Sequence, residues 1–272
     1  MTTIQQERAR AFRDLHHRPE TLVLLNAWDA ASARVFELAG APAIATTSAG
    51  VAAAFGYADG EHVSVDLLLT AVRQICTTVR IPVSVDLECG YGATIGAVRD
   101  TVAAVIDAGG IGINIEDGMS EPSVLVDKIA AIRELAATRE LSLFINARTD
   151  VYLRRQGAAA ELFDDAVRRL RAYAAAGADG LFVPGLGELE TIARLLREVR
   201  LPLNIMAGAG VPPIKELQRV GVKRVSVGSG PARAGLTLTQ RIANEVLNDG
   251  TYTGFLGDTL SHAEVNRMFA HD

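Results

Sequence analysis

Short apolar runs recur along the chain, and six of them are reached from a helical stretch through a glycine or a proline. Leu38-Ala39-Gly40 precedes Ala43-Ile44-Ala45-Thr46, and Asp107-Ala108-Gly109 precedes Ile111-Gly112-Ile113-Asn114-Ile115. Ala176-Gly177 before Gly180-Leu181-Phe182-Val183 and Val220-Gly221 before Arg224-Val225-Ser226-Val227 repeat the arrangement. Glycine at such a place caps a helix C-terminus, where the backbone takes positive φ. Two further units use proline: Ile81-Pro82 before Val83-Ser84-Val85, and Leu201-Pro202 before Leu203-Asn204-Ile205-Met206. A strand tolerates proline at its first residue. Leu22-Val23-Leu24-Leu25 and Leu143-Phe144-Ile145 complete eight predicted strands. Most are apolar on both faces, as a covered parallel sheet requires.

Helical periodicity separates the strands, over 64–78, 97–108, 123–137, 161–176, 188–198 and 212–220. An amphipathic helix opens the chain, with Ile4, Ala11, Phe12 and Leu15 as its inner positions. Two more helices follow the eighth strand, near 233–248 and 262–270, the second starting at the capping box Ser261-His262-Ala263-Glu264. Eight strand–helix units in about 250 residues is the count of a (β/α)8 barrel, here a TIM-type barrel with extra C-terminal helices. Residues 1–272 are expected to form this single domain. A doubly wound open sheet is the rival fold, but no Gly-x-Gly-x-x-Gly follows the first strand.

Charge and cysteine content narrow the class. The net charge of −5 argues against a nucleic-acid partner, which needs a basic surface. No apolar run approaches the roughly 20 residues of a membrane span. The N-terminus has no signal-peptide pattern. The two cysteines, Cys76 and Cys89, form no Cys-x-x-Cys and suggest neither disulfides nor zinc, so a cytoplasmic location is expected. Terminal helices on a barrel often serve subunit contacts, and a homo-oligomer, dimer or tetramer, is expected.

Barrel enzymes keep their chemistry at the C-terminal ends of the strands. Here those ends are polar: Asn26-Ala27-Trp28-Asp29, Thr46-Thr47-Ser48-Ala49-Gly50, Asp86-Leu87-Glu88, Asn114-Ile115-Glu116-Asp117 and Asn146-Ala147-Arg148-Thr149-Asp150. Strand alternation puts Asp86 and Glu88 on one side. Two acids so placed call for a cation between them, and a divalent ion with oxygen ligands is the simplest. The plain alternative is a solvated acidic loop. Asp29 and Asp150 are read as helix caps or surface acids. Gly208-Ala209-Gly210 and Gly228-Ser229-Gly230 sit where many barrels bind phosphate, which would suit a phosphosugar enzyme, but they serve equally as tight turns. Tyr91 either hydrogen-bonds within the site or packs. His16, His17, His62, His262 and His271 lie mostly outside the strand ends and are read as surface or packing residues.

In this order the motifs resemble the isocitrate lyase / phosphoenolpyruvate mutase superfamily. The resemblance runs from about residue 20 to 250. It rests on Asn26-Ala27-Trp28-Asp29, Ala43-Ile44 through Thr47-Ser48-Ala49-Gly50-Val51-Ala52, and Gly56-Tyr57-Ala58-Asp59-Gly60. It continues through Asp86-Leu87-Glu88-Cys89-Gly90-Tyr91-Gly92, Gly112-Ile113-Asn114-Ile115-Glu116-Asp117 and Asn146-Ala147-Arg148-Thr149-Asp150. The resemblance implies an enzyme using Mg²⁺, or Mn²⁺, on a small 2-oxo acid through a pyruvate-type enolate. By the same resemblance Asp86 is the direct metal ligand, and Asp59, Glu88 and Glu116 hold the metal's waters. Thr47, Ser48 and Ala49 would cradle the substrate carboxylate, Arg148 would contact the substrate, Asp86 would stand beside it, and Trp28 would wall the pocket. Arg148, Glu116 and Asp59 are the catalytic candidates.

The chain departs from its relatives after the fourth strand. Isocitrate and methylisocitrate lyases carry Lys-Lys/Arg-Cys-Gly-His there, and this chain has Asp117-Gly118-Met119-Ser120-Glu121-Pro122. Their glutamate after strand six is replaced by Pro184-Gly185. Cys89 is read as a small residue packed beside the metal loop. The remaining kit suits carbon–carbon cleavage, by decarboxylation of oxaloacetate or retro-aldol cleavage of an alkylmalate or methylisocitrate. The alternatives are a phosphonopyruvate-type mutase or hydrolase and a non-catalytic 2-oxo-acid binder.

Overall fold

A computed structural model describes residues 3–154, 157–257 and 259–270. The elements alternate from the start: α1 (Thr3–Leu15), β1 (Leu22–Ala27), α2 (Ala30–Leu38), β2 (Ile44–Thr46), α3 (Ser48–Ala54), α4 (Val65–Thr78), β3 (Val83–Asp86), α5 (Ile95–Asp107) and β4 (Gly112–Glu116). The second half runs α6 (Pro122–Thr138), β5 (Phe144–Arg148), α7 (Val151–Arg154), α8 (Ala159–Ala175), β6 (Gly180–Phe182), α9 (Leu189–Glu198), β7 (Leu203–Met206), α10 (Ile214–Val220), β8 (Arg224–Ser226), α11 (Gly230–Asn244) and α12 (His262–Met268). Each strand pairs in parallel with the next and β8 pairs with β1, so the sheet closes. The (β/α)8 barrel expected from the sequence is the fold.

The core lies between strands and helices. Val85, Ile113 and Ile145 stand in register on β3, β4 and β5, fully buried beneath the surrounding helices, and Ile205 and Val225 do the same on β7 and β8. The opposite strand positions differ from the expectation of two apolar faces. Ser84, Asn114, Asn146, Asn204 and Arg224 face the barrel interior, all buried. The reason is a cavity that enters the barrel between the strand ends and reaches Ser84 and Arg224. A hydrophobic lining is replaced there by one built to bind.

Helix α1 packs against the N-terminal ends of β4 and β5. Phe12 meets the Phe144 ring edge-on at 5.4 Å, and a Cβ on Gly112 would stand 3.2 Å from Phe12. Its inner positions are Ala9, Phe12 and Leu15; Ile4 and Ala11 face solvent, against expectation. The register is set by the i, i+3 spacing of Ala9, Phe12 and Leu15 against Phe144. Helix α11 begins at Gly230 rather than 233, because Pro231 suits a first helical turn. A π-helical turn, Glu245–Asp249, carries it on. Among the described residues no helix is long and apolar enough to cross a membrane.

Candidate active site at the barrel mouth

The cavity has a volume of about 240 Å³ and brings together Thr47, Ser48, Ala49, Asp59, Asp86 and Arg148. Asp86 ends β3, and three contacts fix its position. Its backbone N–H donates to Thr46 Oγ1 (2.8 Å), its Oδ2 accepts from Ser48 N (3.0 Å), and its Oδ1 accepts from Asn114 Nδ2 (2.9 Å). Asn146 Nδ2 in turn donates to Asn114 Oδ1 (3.1 Å). An amide chain across β5, β4 and β3 thus orients one carboxylate.

Glu88 reaches the site by a different route from the one expected. Strand β3 stops at Asp86, and Glu88 sits in a left-handed turn with φ 47°, closed by Gly90 N donating to Leu87 O (2.7 Å). Its carboxylate accepts from Tyr91 Oη (2.6 Å) and Glu61 N (2.9 Å). Glu61 also accepts from Tyr91 N (2.8 Å), which ties the loop carrying Asp59 to the loop after β3. Tyr91 is therefore a hydrogen-bonding member of the site's wall. Burial, then the charges of Asp59 and Asp86, raise the Glu88 carboxyl above its usual range, with Tyr91 and Glu61 opposing.

Arg148 ends β5 between two acids. Its Nη1 lies 2.8 Å from Glu116 Oε2 in an ion pair without hydrogen-bond geometry, and its Nε donates to Asp150 Oδ1 (2.6 Å). The Phe182 ring lies beneath, 5.7 Å from the guanidinium carbon. Burial works against this charge, but Glu116, Asp150 and Asp86 outweigh it and hold the guanidinium above its ordinary range. Burial pushes the Glu116 carboxyl up to about 8; Arg148 opposes the rise, and Asp86, Asp150 and Glu88 add to it.

Some expectations change and others hold. Trp28 does not wall this cavity; it meets Phe36 and lines a separate groove with Gly50, Ala53 and Ala232 between α3 and α11. Its position follows from Gly50, where a Cβ would stand 2.8 Å from Trp28 Cβ. Asp29 is the N-cap of α2, accepting from Ser32 N (2.7 Å). Asp150 is not a surface acid: it is a buried partner of Arg148, and it stands at the cap position of α7, where its carbonyl accepts from Arg154 N (2.9 Å). Asn26 Oδ1 takes the N–H groups of Val227 and Gly228, so the turn after β8 spends those donors on the protein. Cys89 packs beside Gly118, and burial pushes its thiol up to about 11. His16 is a buried packing residue, while His17, His62 and His262 are exposed; His271 lies outside the described residues. The sequence reading missed Asn26, Ser84, Asn114, Asn146 and Arg224 as site-builders. For Ser84, Asn114 and Asn146 the signal is a polar residue at alternate positions of an otherwise apolar strand, and Asn26 is the single polar residue of its strand.

The donor set fits a hard divalent cation, being all oxygen and net acidic. Among the described residues, however, no three His, Cys, Asp or Glu side chains converge closely enough to hold a bare ion. Glu88 and Glu116 are engaged by Tyr91 and Arg148, and Asp86 by Ser48 and Asn114, so an ion here would take part of its shell from water. Mg²⁺ suits that arrangement because it keeps several waters.

Acids and Arg148 gather at the strand C-termini of a closed parallel barrel, the end where barrel enzymes keep their chemistry. The chain belongs to the phosphoenolpyruvate phosphomutase family, which matches residues 12–247, within the isocitrate lyase / phosphoenolpyruvate mutase superfamily. It is 38% identical over 244 residues to an uncharacterized protein of Mycobacterium tuberculosis, covering 88% of this chain and 90% of that one. It is 28% identical over 258 residues to the 2-methylisocitrate lyase of Escherichia coli, covering 89% and 85%. A crystal structure from Burkholderia cenocepacia J2315, provisionally named a lyase/mutase, superposes with a TM-score of 0.92 at 36% identity, covering 99% and 98%. Characterised members of the family are enzymes, lyases and mutases.

Proposed function

We propose that this chain is a Mg²⁺- or Mn²⁺-dependent lyase that breaks a carbon–carbon bond in a small 2-oxo or 2-hydroxy acid. The observation that carries the reading is the convergence of Asp59, Asp86 and Arg148 on one small cavity, with Glu88 and Glu116 behind them. A divalent ion bound at Asp86 would supply Lewis-acid stabilisation to negative charge developing on the keto oxygen. The chain's own residues do the rest. Asn114, Ser48 and Thr46 hold Asp86 in one orientation. Arg148 presents a fixed positive charge to the cavity, and preorganised charge of this kind is typically worth about 3–4 kcal/mol to a transition state. Glu116, paired with Arg148 beside the cavity and with its carboxyl pushed up by burial, is placed to take up and return a proton. The resemblance to 2-methylisocitrate lyase favours carbon–carbon over carbon–phosphorus cleavage. We propose in addition a cytoplasmic homo-oligomer.

The test is Mg²⁺-dependent pyruvate release from oxaloacetate and alkylmalates, with Mg²⁺ binding measured in parallel. Wild type is expected to turn over one of them, and Asp86→Ala to lose both turnover and metal binding, each by at least about 100-fold. Equal metal binding by wild type and Asp86→Ala sinks the assignment. Phosphate release from phosphonopyruvate instead would mark a hydrolase, its conversion to phosphoenolpyruvate a mutase, and tight 2-oxo-acid binding without turnover a binding protein.

A further inference from the structure

Arg224 is a buried cation that the Asp86–Arg148 rim does not use. It opens β8, is 2% exposed, and lines the cavity with Ser84 and Ser226. Its Nε and Nη1 have no hydrogen-bond partner, and it joins no ion pair among the described residues. Ser84 Oγ is also buried without a partner. So is Oδ1 of Asn204, which stands opposite Arg224 in the β7–β8 register and donates Nδ2 to Ser226 Oγ (3.2 Å). The charges that face Arg224 do not satisfy it. Asp86 acts on it only across the cavity, because both Asp86 oxygens already accept from Ser48 and Asn114. His16, on the other side, is held neutral. A guanidinium taken out of water with two donors unused is costly unless a ligand completes it. A guanidinium so placed can meet a carboxylate with charge-assisted hydrogen bonds. The cavity is smaller than the roughly 300–1,000 Å³ of drug-sized pockets, so only a small acid reaches from rim to floor.

We infer that Arg224, with Ser84 and Ser226, forms a floor subsite that binds a second carboxylate of the substrate and selects diacids over monoacids. The inference deepens the 2-oxo-acid reading and rests on it for which end of the diacid meets the rim. Malate and lactate are matched probes, both 2-hydroxy acids and differing in one carboxylate. Binding is measured calorimetrically with Mg²⁺ for wild type, Arg224→Met and Arg224→Lys. Wild type is expected to bind malate at least tenfold tighter than lactate. Arg224→Met should lose that preference, with lactate binding changed less than threefold, and Arg224→Lys should keep part of it. Equal loss for both acids, or no loss for either, overturns the floor subsite. Should Arg224→Met fail to fold, a crystal of wild type with Mg²⁺ and malate decides. A carboxylate on the guanidinium supports the subsite, and water alone there overturns it. Malonate binding in EDTA separates this inference from the metal reading. A tenfold loss in an Arg224 variant supports the floor even if Mg²⁺ fails to bind, and no difference from wild type overturns it.

Discussion

His16 donates Nδ1–H to the Phe12 carbonyl (2.8 Å) and stacks on Phe144 at 4.0 Å, while its Nε2 is buried without a partner. Burial, then the charge of Arg224, pushes its pKa from 6.5 down to about 3. The folded chain therefore keeps the ring neutral where the unfolded chain protonates it. Stability from this residue is fully present above about pH 6.5 and is lost as pH falls toward 3, by up to about 1.4 kcal/mol per pH unit. His16→Phe removes the titration. Urea unfolding between about pH 4 and 6 should show a shallower loss of stability in the variant; parallel pH profiles would refute the assignment. Gly180 makes a second case. A Cβ there would meet Asn146 Oδ1 and Phe144 Cε1 at 2.9 Å, and neither is the free end of a flexible chain. Gly180→Ala should cost about 1–3 kcal/mol in thermal or urea unfolding. It should also weaken metal binding, because Asn146 begins the amide chain that ends on Asp86. Unchanged stability would show that the β5–β6 interior yields more freely than its contacts indicate.

The loop between β4 and α6 is the element where this chain leaves the lyases, and it is pinned. Asp117 Oδ1 accepts from Met119 N (3.0 Å) and Asp150 N (3.2 Å), and its Oδ2 accepts from Arg169 Nη1 (3.1 Å) and Tyr173 Oη (2.8 Å). Arg169 Nη1 also donates to Ser120 O (2.7 Å). The Asp117 side chain is fully buried, so Asp117→Ala leaves Arg169 without its inner partner at a cost of about 3–5 kcal/mol. Denaturant unfolding measures the loss, and hydrogen exchange should show the Met119 amide deprotected. A loss below about 1 kcal/mol would mean the anchor is not what holds the loop. At this scale the sequence was legible where periodicity speaks. Gly40, Gly109, Gly177 and Gly221, all at positive φ, end helices before strands as expected. What stayed hidden depends on facing. Alternation cannot tell whether Asn146 and Arg224 point to a helix or to a cavity, since both directions are buried. Glu88 was found as a site acid through the wrong geometry, because a left-handed turn replaced the last step of the strand. Spacing marks Asp150 as the start of a helix but does not show its burial against Arg148, which packing decides. Helix α3 went unread because Ser48–Ala54 is all small residues, with no apolar period to mark a face.

The surface of the whole chain is too large for its mass. A folded monomer of 28.8 kDa is expected to expose about 11,300 Å², and this chain exposes 13,573 Å². The excess of about 2,200 Å² has a location. Helix α11 buries only Ala232, and the π-helical turn and α12 bury no residue. Leu236, Leu247, Phe255, Leu256 and Leu260 along this arm stand exposed, Leu247 at 82%. The arm's far end is held to the barrel by Arg34 Nε donating to Met268 O (2.7 Å). An apolar arm open to water marks a contact surface, and an excess of this size on each of two copies suits the roughly 2,000–5,000 Å² that obligate homodimer interfaces bury in total. A second copy of this chain is the occupant we propose, since an isologous contact lets each arm cover the other's groove between α3 and α11. Sedimentation at micromolar concentration should give a dimer or larger assembly. Leu236→Glu with Leu247→Glu puts charges into the face that must become dry, so the double variant should shift to monomer and lose several degrees of melting temperature. A wild-type monomer, or a double variant that assembles as wild type does, would place the contact elsewhere. The arm begins directly after β8, whose turn Asn26 fixes at the cavity rim. Monomerisation should therefore also loosen the mouth and weaken oxalate binding, while leaving the Asp86 contacts, which come from β2, β4 and the start of α3, in place.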